Sequence, residues 1–268
     1  MLVRDLEAKL FEAFPCEDAE PWDHVGLSVG NPDDEVHGVA CALDVTEYTL
    51  RQAESLGCNV LLTHHPLYIE APDTFSPFST DRPHASGSLF YAVQHGVSVI
   101  SMHTNLDRSR DARELLPSLC GLKAISSLEH SGEPDVSGLG SLCAPVSTRL
   151  SDFALTVARA FGVVPRVWGE PERLVHRVAF LGGSFGHFTD CVIESGVDTL
   201  VTGEAGYHVA QDLNLRGCSV ILLGHDISEN PFVDILARNA VEAGVEPSLV
   251  STIVPLKQWW TLSKGDML

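Results

Sequence analysis

Four short segments carry side chains that could hold a metal. Thr63-His64-His65-Pro66 places two imidazoles side by side, and His103 is followed four residues on by Asp107. Gly203-Glu204 precedes His208, and Gly224-His225 precedes Glu229. Five of the twelve histidines fall in these four places. Imidazole mixed with carboxylate suits Zn, Fe, Mn or Co, whereas Ca and Mg prefer oxygen alone. Neighbouring side chains on an extended backbone point to opposite sides. His64 and His65 would therefore serve two ions more easily than chelate one. A carboxylate could bridge such ions, which in two-metal hydrolytic sites lie roughly 3.5–4 Å apart. Pro66 lacks the N–H of a sheet ladder and ends the strand. His103, Glu204, His208 and Asp44 are further candidates, for orienting ligands or moving protons.

A rival motif lies at Gly182-Gly-Ser184-Phe-Gly186, which fits the G-x-S-x-G of a nucleophile elbow. Asp212 and His225 downstream preserve the Ser, Asp, His order. No His-Gly-Gly oxyanion segment precedes it, so the stretch reads better as a glycine-rich strand-to-helix turn able to meet a phosphate.

The elements that must position these groups alternate along the chain. Strands are expected at Val36–Leu43, Val60–Thr63 and Val97–Met102, with helices at Glu47–Leu56 and Ser86–His95 between them. The order repeats as strand Val175–Leu181, helix His187–Ser195, strand Thr199–Thr202, helix Tyr207–Leu215 and strand Ser219–Leu223. This alternation predicts an α/β fold with much parallel pairing. Val36-His-Gly-Val-Ala40 also lines up with Val175-His-Arg-Val-Ala179, an offset of 139 residues (175 − 36). The same offset sets Gly57 on Gly196, Leu61 on Leu200 and Thr63 on Thr202. Gly96-Val-Ser-Val-Ile100 echoes Gly217-Cys-Ser-Val-Ile221. After a one-residue shift His103-x3-Asp107 stands beside His225-x3-Glu229.

The expected fold is thus two related α/β lobes with mixed, largely parallel sheets. The first lobe spans 1–125, a Gly/Ser/Pro-rich connecting segment 126–150, and the second lobe 151–268. Ser151–Phe161 opens the second lobe as a helix with a serine cap, and Thr74–His84, with two prolines, reads as a loop. Ligands of open α/β sheets bind beyond the carboxyl ends of strands, where all four segments fall. The metal site is therefore expected at the strand C-terminal ends between the lobes.

The chain has 268 residues, a formal net charge of −19 and 44% hydrophobic residues. Its pI near 4.8 argues against nucleic acid or an anionic membrane as partner. No window approaches the roughly 18 apolar residues of a membrane span. Met1–Phe14 is amphipathic, unlike a secretory signal. Seven dispersed cysteines with no C-x-x-C spacing suggest reduced thiols and a cytoplasmic setting.

The motifs together resemble a known family. Trp22-Asp-His-Val-Gly-Leu-Ser-Val-Gly30, Leu43-Asp-Val-Thr46, Thr63-His-His-Pro-Leu67, His103-Thr-Asn-Leu-Asp107, Thr202-Gly-Glu-Ala-Gly-Tyr-His208 and Gly224-His-Asp-Ile-Ser-Glu229 are similar to those of the dinuclear metal-centre family related to the NGG-interacting factor. Its members are often called type-two GTP cyclohydrolase homologues. The resemblance runs from residue 1 to about 262 and has the length of the short bacterial form. It implies a toroidal homohexamer with metal sites facing its interior. It also implies that His64, His65, Asp107, His225 and Glu229 bind two divalent ions per subunit. The expected partition puts His65 with Asp107 on one ion and His64 with His225 on the other, with Glu229 bridging. Two positions depart from the family pattern: His24 replaces the usual Asn, and Ser141 follows Gly138-Leu-Gly140 where the family has Arg.

Two ions with Asp107 and Glu229 leave roughly +2 at the centre, enough to draw a small anion into an acidic protein. The expected function is metal-dependent hydrolysis of an anionic, nucleotide-like or cyclic amide substrate. The alternative is a non-catalytic metal-handling protein or interaction scaffold.

Overall fold

The computed structural model describes residues 1–77, 82–256 and 259–260. Three short runs build the centre of the first sheet: β2 (Val39–Ala42), β3 (Val60–Thr63) and β4 (Ser98–Ser101). Every residue in them is buried, as expected of parallel strands covered on both faces. β1 (Gly26–Val29) pairs antiparallel with β4, giving the order β1-β4-β3-β2 and then a last strand from the far end of the chain.

The second sheet repeats this centre. It comprises β5 (Ala124–Ser126), β6 (Ser141–Cys143), β8 (Arg166–Trp168), β10 (Val178–Ser184), β11 (Thr199–Glu204) and β12 (Ser219–Leu222), in the order β5-β6-β10-β11-β12-β8. β7 (Thr148–Arg149) and β9 (Leu174–Val175) form a separate antiparallel pair. The repeat seen in the sequence is visible in the register. Val39 opposes Val60 in one sheet, and Val178 opposes Thr199 in the other, both displaced by 139 (178 − 39, 199 − 60). Ser98 opposite Val60 likewise matches Ser219 opposite Thr199.

Side-chain alternation along these strands sets up three apolar layers. On the outer face of the first sheet, Ala40, Leu61 and Val99 pack on α2 (Glu47–Ser55) and α3 (Pro83–His95). The opposite faces of the two sheets, with Cys41 and Leu62 from one and Phe180 and Val201 from the other, share a single core. α1 (Val3–Ala13), α5 (Arg110–Leu119), α6 (Leu150–Phe161) and α10 (Phe232–Glu242) fill it. On the outside of the second sheet, Ala179, Leu200 and Val220 pack on α7 (Thr189–Glu194) and α8 (Tyr207–Leu215). Two short helices, α4 (Thr104–Asp107) and α9 (His225–Glu229), follow β4 and β12.

Sheet membership cuts across the expected boundaries. β5 ends and β6 lies inside the expected connecting segment, yet both pair into the second sheet. β13 (Val250–Thr252), from the expected second lobe, returns to the first sheet and pairs parallel with β2. α10 follows it there, packing on β2 and β13. The serine cap of α6 is also absent. The helix starts at Leu150, whose amide donates to the Arg173 carbonyl, while that of Ser151 donates to the Pro171 carbonyl. Backbone from the neighbouring segment thus satisfies the donors a serine would have capped. Of the loop expected at Thr74–His84, residues 78–81 lie outside the described residues, and Pro83 and His84 already belong to α3.

All seven cysteines are unpaired, and no helix among the described residues is long and apolar enough to cross a membrane.

Candidate metal centre

The carboxyl ends of β3, β4 and β12 bring the five residues His64, His65, Asp107, His225 and Glu229 together. His64 and His65 continue β3. Asp107 ends α4, and α9 carries His225 and Glu229 four residues apart, hence on one helix face. Ligand atoms of His64, Asp107 and Glu229 all lie within 4.8 Å of one another, as do those of His65, His225 and Glu229. The two triads share Glu229 through different oxygens. Its Oε1 lies 3.8 Å from His64 Nε2, and its Oε2 lies 2.9 Å from His65 Nε2 and 3.0 Å from His225 Nε2. His64 Nε2 is 3.5 Å from Asp107 Oδ1. In these two triads the adjacent imidazoles are divided, while a third group of ligand atoms joins His64 and His65 with His103. The pairing is the reverse of the expected one: His64 stands with Asp107, and His65 with His225. The side of the β3 extension each ring leaves from decides this, and residue spacing does not encode it.

Each imidazole is fixed from behind. His64 Nδ1 is 3.1 Å from the Met102 carbonyl, which can accept its proton and turns Nε2 toward the cluster. His65 Nδ1 lies 2.7 Å from Asp44 Oδ1, and His225 Nδ1 lies 3.0 Å from Glu204 Oε1. Asp44 and Glu204 thus orient the rings, as their strand-end positions suggested. His103 Nδ1 contacts Asp23 Oδ1 at 2.9 Å, and its ring stands beside those of His64 and His65. Asp23 was not anticipated as a site residue. It lies 80 positions from His103, and its only signal was membership of the Trp22–Gly30 motif. His208, by contrast, is outside the cluster. β11 runs on to Glu204, and α8 then carries His208 on an exposed face beside Tyr207.

The donor set fits a cation on physical grounds. His64 is fully buried, and its Nε2 has no hydrogen-bond partner. An unpaired lone pair facing two carboxylates is costly unless something positive sits between them. Protons take that place in the metal-free protein. Burial pulls the His65 pKa down, but bonding to Asp44 and Glu229 outweighs it and pushes the value up to about 10. The Glu229 bond raises His225 to about 9. Burial, reinforced by the charge of Glu229, raises Asp107 to about 7. Glu229 itself is held well below its usual range, because its bonds to the histidines outweigh its burial. Asp23 is similarly depressed, its burial outweighed by His103 and Thr104.

The glycine-rich turn serves this cluster. Gly183 has φ +57°, and a Cβ there would collide with Glu229 Oε1. The absence of a side chain makes room for the shared carboxylate. Ser184 is exposed and makes no hydrogen bond to His225 or Asp212. Asp212 is instead 3.6 Å from Arg216. The serine-nucleophile reading has no geometric support. A cavity of about 700 Å³ opens beside the centre, reaching His65, Asp107, His225 and Glu229, with Trp22, Phe180 and Phe232 among its apolar walls.

Fold and site define a two-sheet α/β protein with an imidazole–carboxylate cluster able to hold metal. The profile of the Duf34/NIF3 (NGG1p interacting factor 3) family matches residues 1–254, and the chain belongs to that family. It is 31% identical over 237 residues to a Streptomyces coelicolor protein named GTP cyclohydrolase 1 type 2 homolog, covering 85% of this chain and 82% of that one. A Clostridium acetobutylicum protein of the same name is 25% identical over 260 residues, 96% and 95% of the two chains. The crystal structure of a Bacillus cereus protein related to NIF3 superposes with a TM-score of 0.84 at 18% identity, over 98% of this chain and 99% of that one.

Proposed function

We propose that the protein is a dinuclear metal-dependent hydrolase acting on a small anionic, nucleotide-like molecule. The observation that carries this reading is Glu229, which gives one carboxylate oxygen to each of two imidazole-containing triads while His64 Nε2 lies buried without a partner. His64, Asp107 and Glu229 would hold one divalent ion, and His65, His225 and Glu229 the other. Zn, Fe, Mn and Co all suit such a mixed donor set. When bound, the pair would supply a water of lowered pKa as nucleophile and positive charge for developing oxyanions.

The chain's own groups account for the rest. Asp44 and Glu204 hold His65 and His225 in the tautomers that offer Nε2. His103 presents Nε2 to the cavity while Asp23 anchors Nδ1, so it can take a proton and return it to a leaving group. Phe180 and Phe232, both buried, give the cavity an apolar wall on one side, which strengthens charge interactions beside it. The names of the relatives agree with ring-opening hydrolysis of a nucleotide. Seven unpaired cysteines support a cytoplasmic setting. Assembly as a homohexamer belongs to the same proposal.

The test is hydrolysis of a panel of nucleotides and cyclic amides by protein loaded with Zn, Mn, Fe or Co. Wild type should turn over at least one member, and Glu229→Gln should lose both that turnover and bound metal. Inactivity across all metals and the whole panel, with metal retained, would favour the metal-handling role instead.

A further inference from the structure

Among the described residues that line the cavity, Arg113 is the one arginine or lysine. It lies on α5 and is only 9% exposed. An arginine so little exposed ordinarily has a carboxylate partner, and none is found for it among the described residues. Its single hydrogen bond runs from Nη1 to the Val136 carbonyl at 3.1 Å, and its other N–H groups find no acceptor among the described residues. Asp107 and Glu229 share the cavity wall with it but belong to the metal cluster, and four further acids are paired with other arginines. Asp111 pairs with Arg238 and Glu114 with Arg110, while Glu20 and Glu129 both pair with Arg108. Ser141 Oγ bonds to the Arg113 carbonyl and pins the residue's backbone in the cavity wall.

A guanidinium fork without a carboxylate partner, on the wall of a partly open cavity of mixed apolar and polar lining, is complementary to a planar or tetrahedral oxyanion. The volume, about 700 Å³, falls in the range that encloses a whole small ligand. Trp22, Phe180 and Phe232 offer aromatic surface to the ligand's body. We propose that Arg113 is the anion anchor of this cavity. It receives the phosphate-type group of an aromatic-bodied substrate and so directs the remainder to the metal centre. The assignment rests on the proposed reading of that centre and names the substrate feature it selects.

The test uses the full chain, Mn-loaded and chelator-treated in parallel, with phenyl phosphate as probe and benzyl alcohol as its neutral counterpart. Trp fluorescence or calorimetry reads binding. Arg113→Gln should weaken phenyl phosphate by about tenfold or more in both metal states. It should leave benzyl alcohol binding and metal content unchanged, and Arg113→Lys should restore part of the loss. A merely structural arginine would move both probes together, which overturns the proposal. Undiminished phenyl phosphate binding by Arg113→Gln overturns it as well, as does failure of wild type to bind phenyl phosphate in either state. Should Arg113→Gln not fold, modification of wild-type Arg113 by phenylglyoxal supplies the answer by mass spectrometry. Phenyl phosphate should protect the residue and benzyl alcohol should not, and equal modification in both sinks the idea. Wild type that binds phenyl phosphate through Arg113 but hydrolyses nothing would refute the hydrolase and leave the anchor standing. Turnover indifferent to Arg113→Gln would do the reverse.

Discussion

Metal uptake should expel protons in a number the structure specifies. Without metal, His65 holds a proton up to about pH 10, His225 up to about 9 and Asp107 up to about 7. Ligands must be deprotonated to bind. At pH 6 all three groups are largely protonated, while a metal-bound water with its pKa near 7 still keeps its proton. Filling both triads at pH 6 should therefore release about three protons per chain. Asp107→Asn removes one titrating group, so its release should fall to about two. The assay is addition of Zn or Mn to chelator-stripped protein in weak buffer with an indicator dye. Calorimetry in two buffers of different ionisation enthalpy gives an independent count. Stoichiometric uptake at pH 6 with almost no proton release would place the metal elsewhere and refute the reasoning.

The same shifts make the metal-free fold alkali-sensitive. Raised His65 and His225 pKa values contribute stability that is fully present below their unfolded value, near 6.5, and lost as pH rises through about 9 and 10. Chelator-treated protein should therefore melt at a lower temperature at pH 10 than at pH 6.5, and metal loading should reduce this loss. Gly183→Ala forces a Cβ against Glu229 Oε1 at φ +57°. It should cost about 1–2 kcal/mol in backbone strain alone and lower metal content, measured by melting and elemental analysis. Asp23→Asn leaves both triads intact but loosens His103. Turnover should fall about 10–100-fold, the range for groups that orient a site, with a changed pH–rate profile and metal content preserved.

Much of this arrangement was legible in the residues, for identifiable reasons. The central strands of each sheet, β2 to β4 and β10 to β12, are short, mostly buried runs, and the 139-residue repeat of the first two carried their register with it. The cluster was legible because ligands gather at strand carboxyl ends, and polar groups there stand out against the apolar strands before them. What stayed hidden depends on long-range geometry. Asp23 meets His103 across 80 positions, and β13 pairs with β2 although the whole second sheet lies between them in the sequence. The division of His64 and His65 between triads follows from ring directions and from the two oxygens of Glu229. His208 looked equivalent to its neighbours because spacing alone cannot show that α8 turns it outward. Arg113 sits in an ordinary amphipathic helix pattern, and only the missing carboxylate around it marks it out.

Anomalous scattering from crystals of the Mn-loaded protein tests the central claim most directly. Two peaks roughly 3.5–4 Å apart are expected, one enclosed by His64, Asp107 and Glu229 and the other by His65, His225 and Glu229. A single peak at full loading, or peaks away from Glu229, would contradict the account.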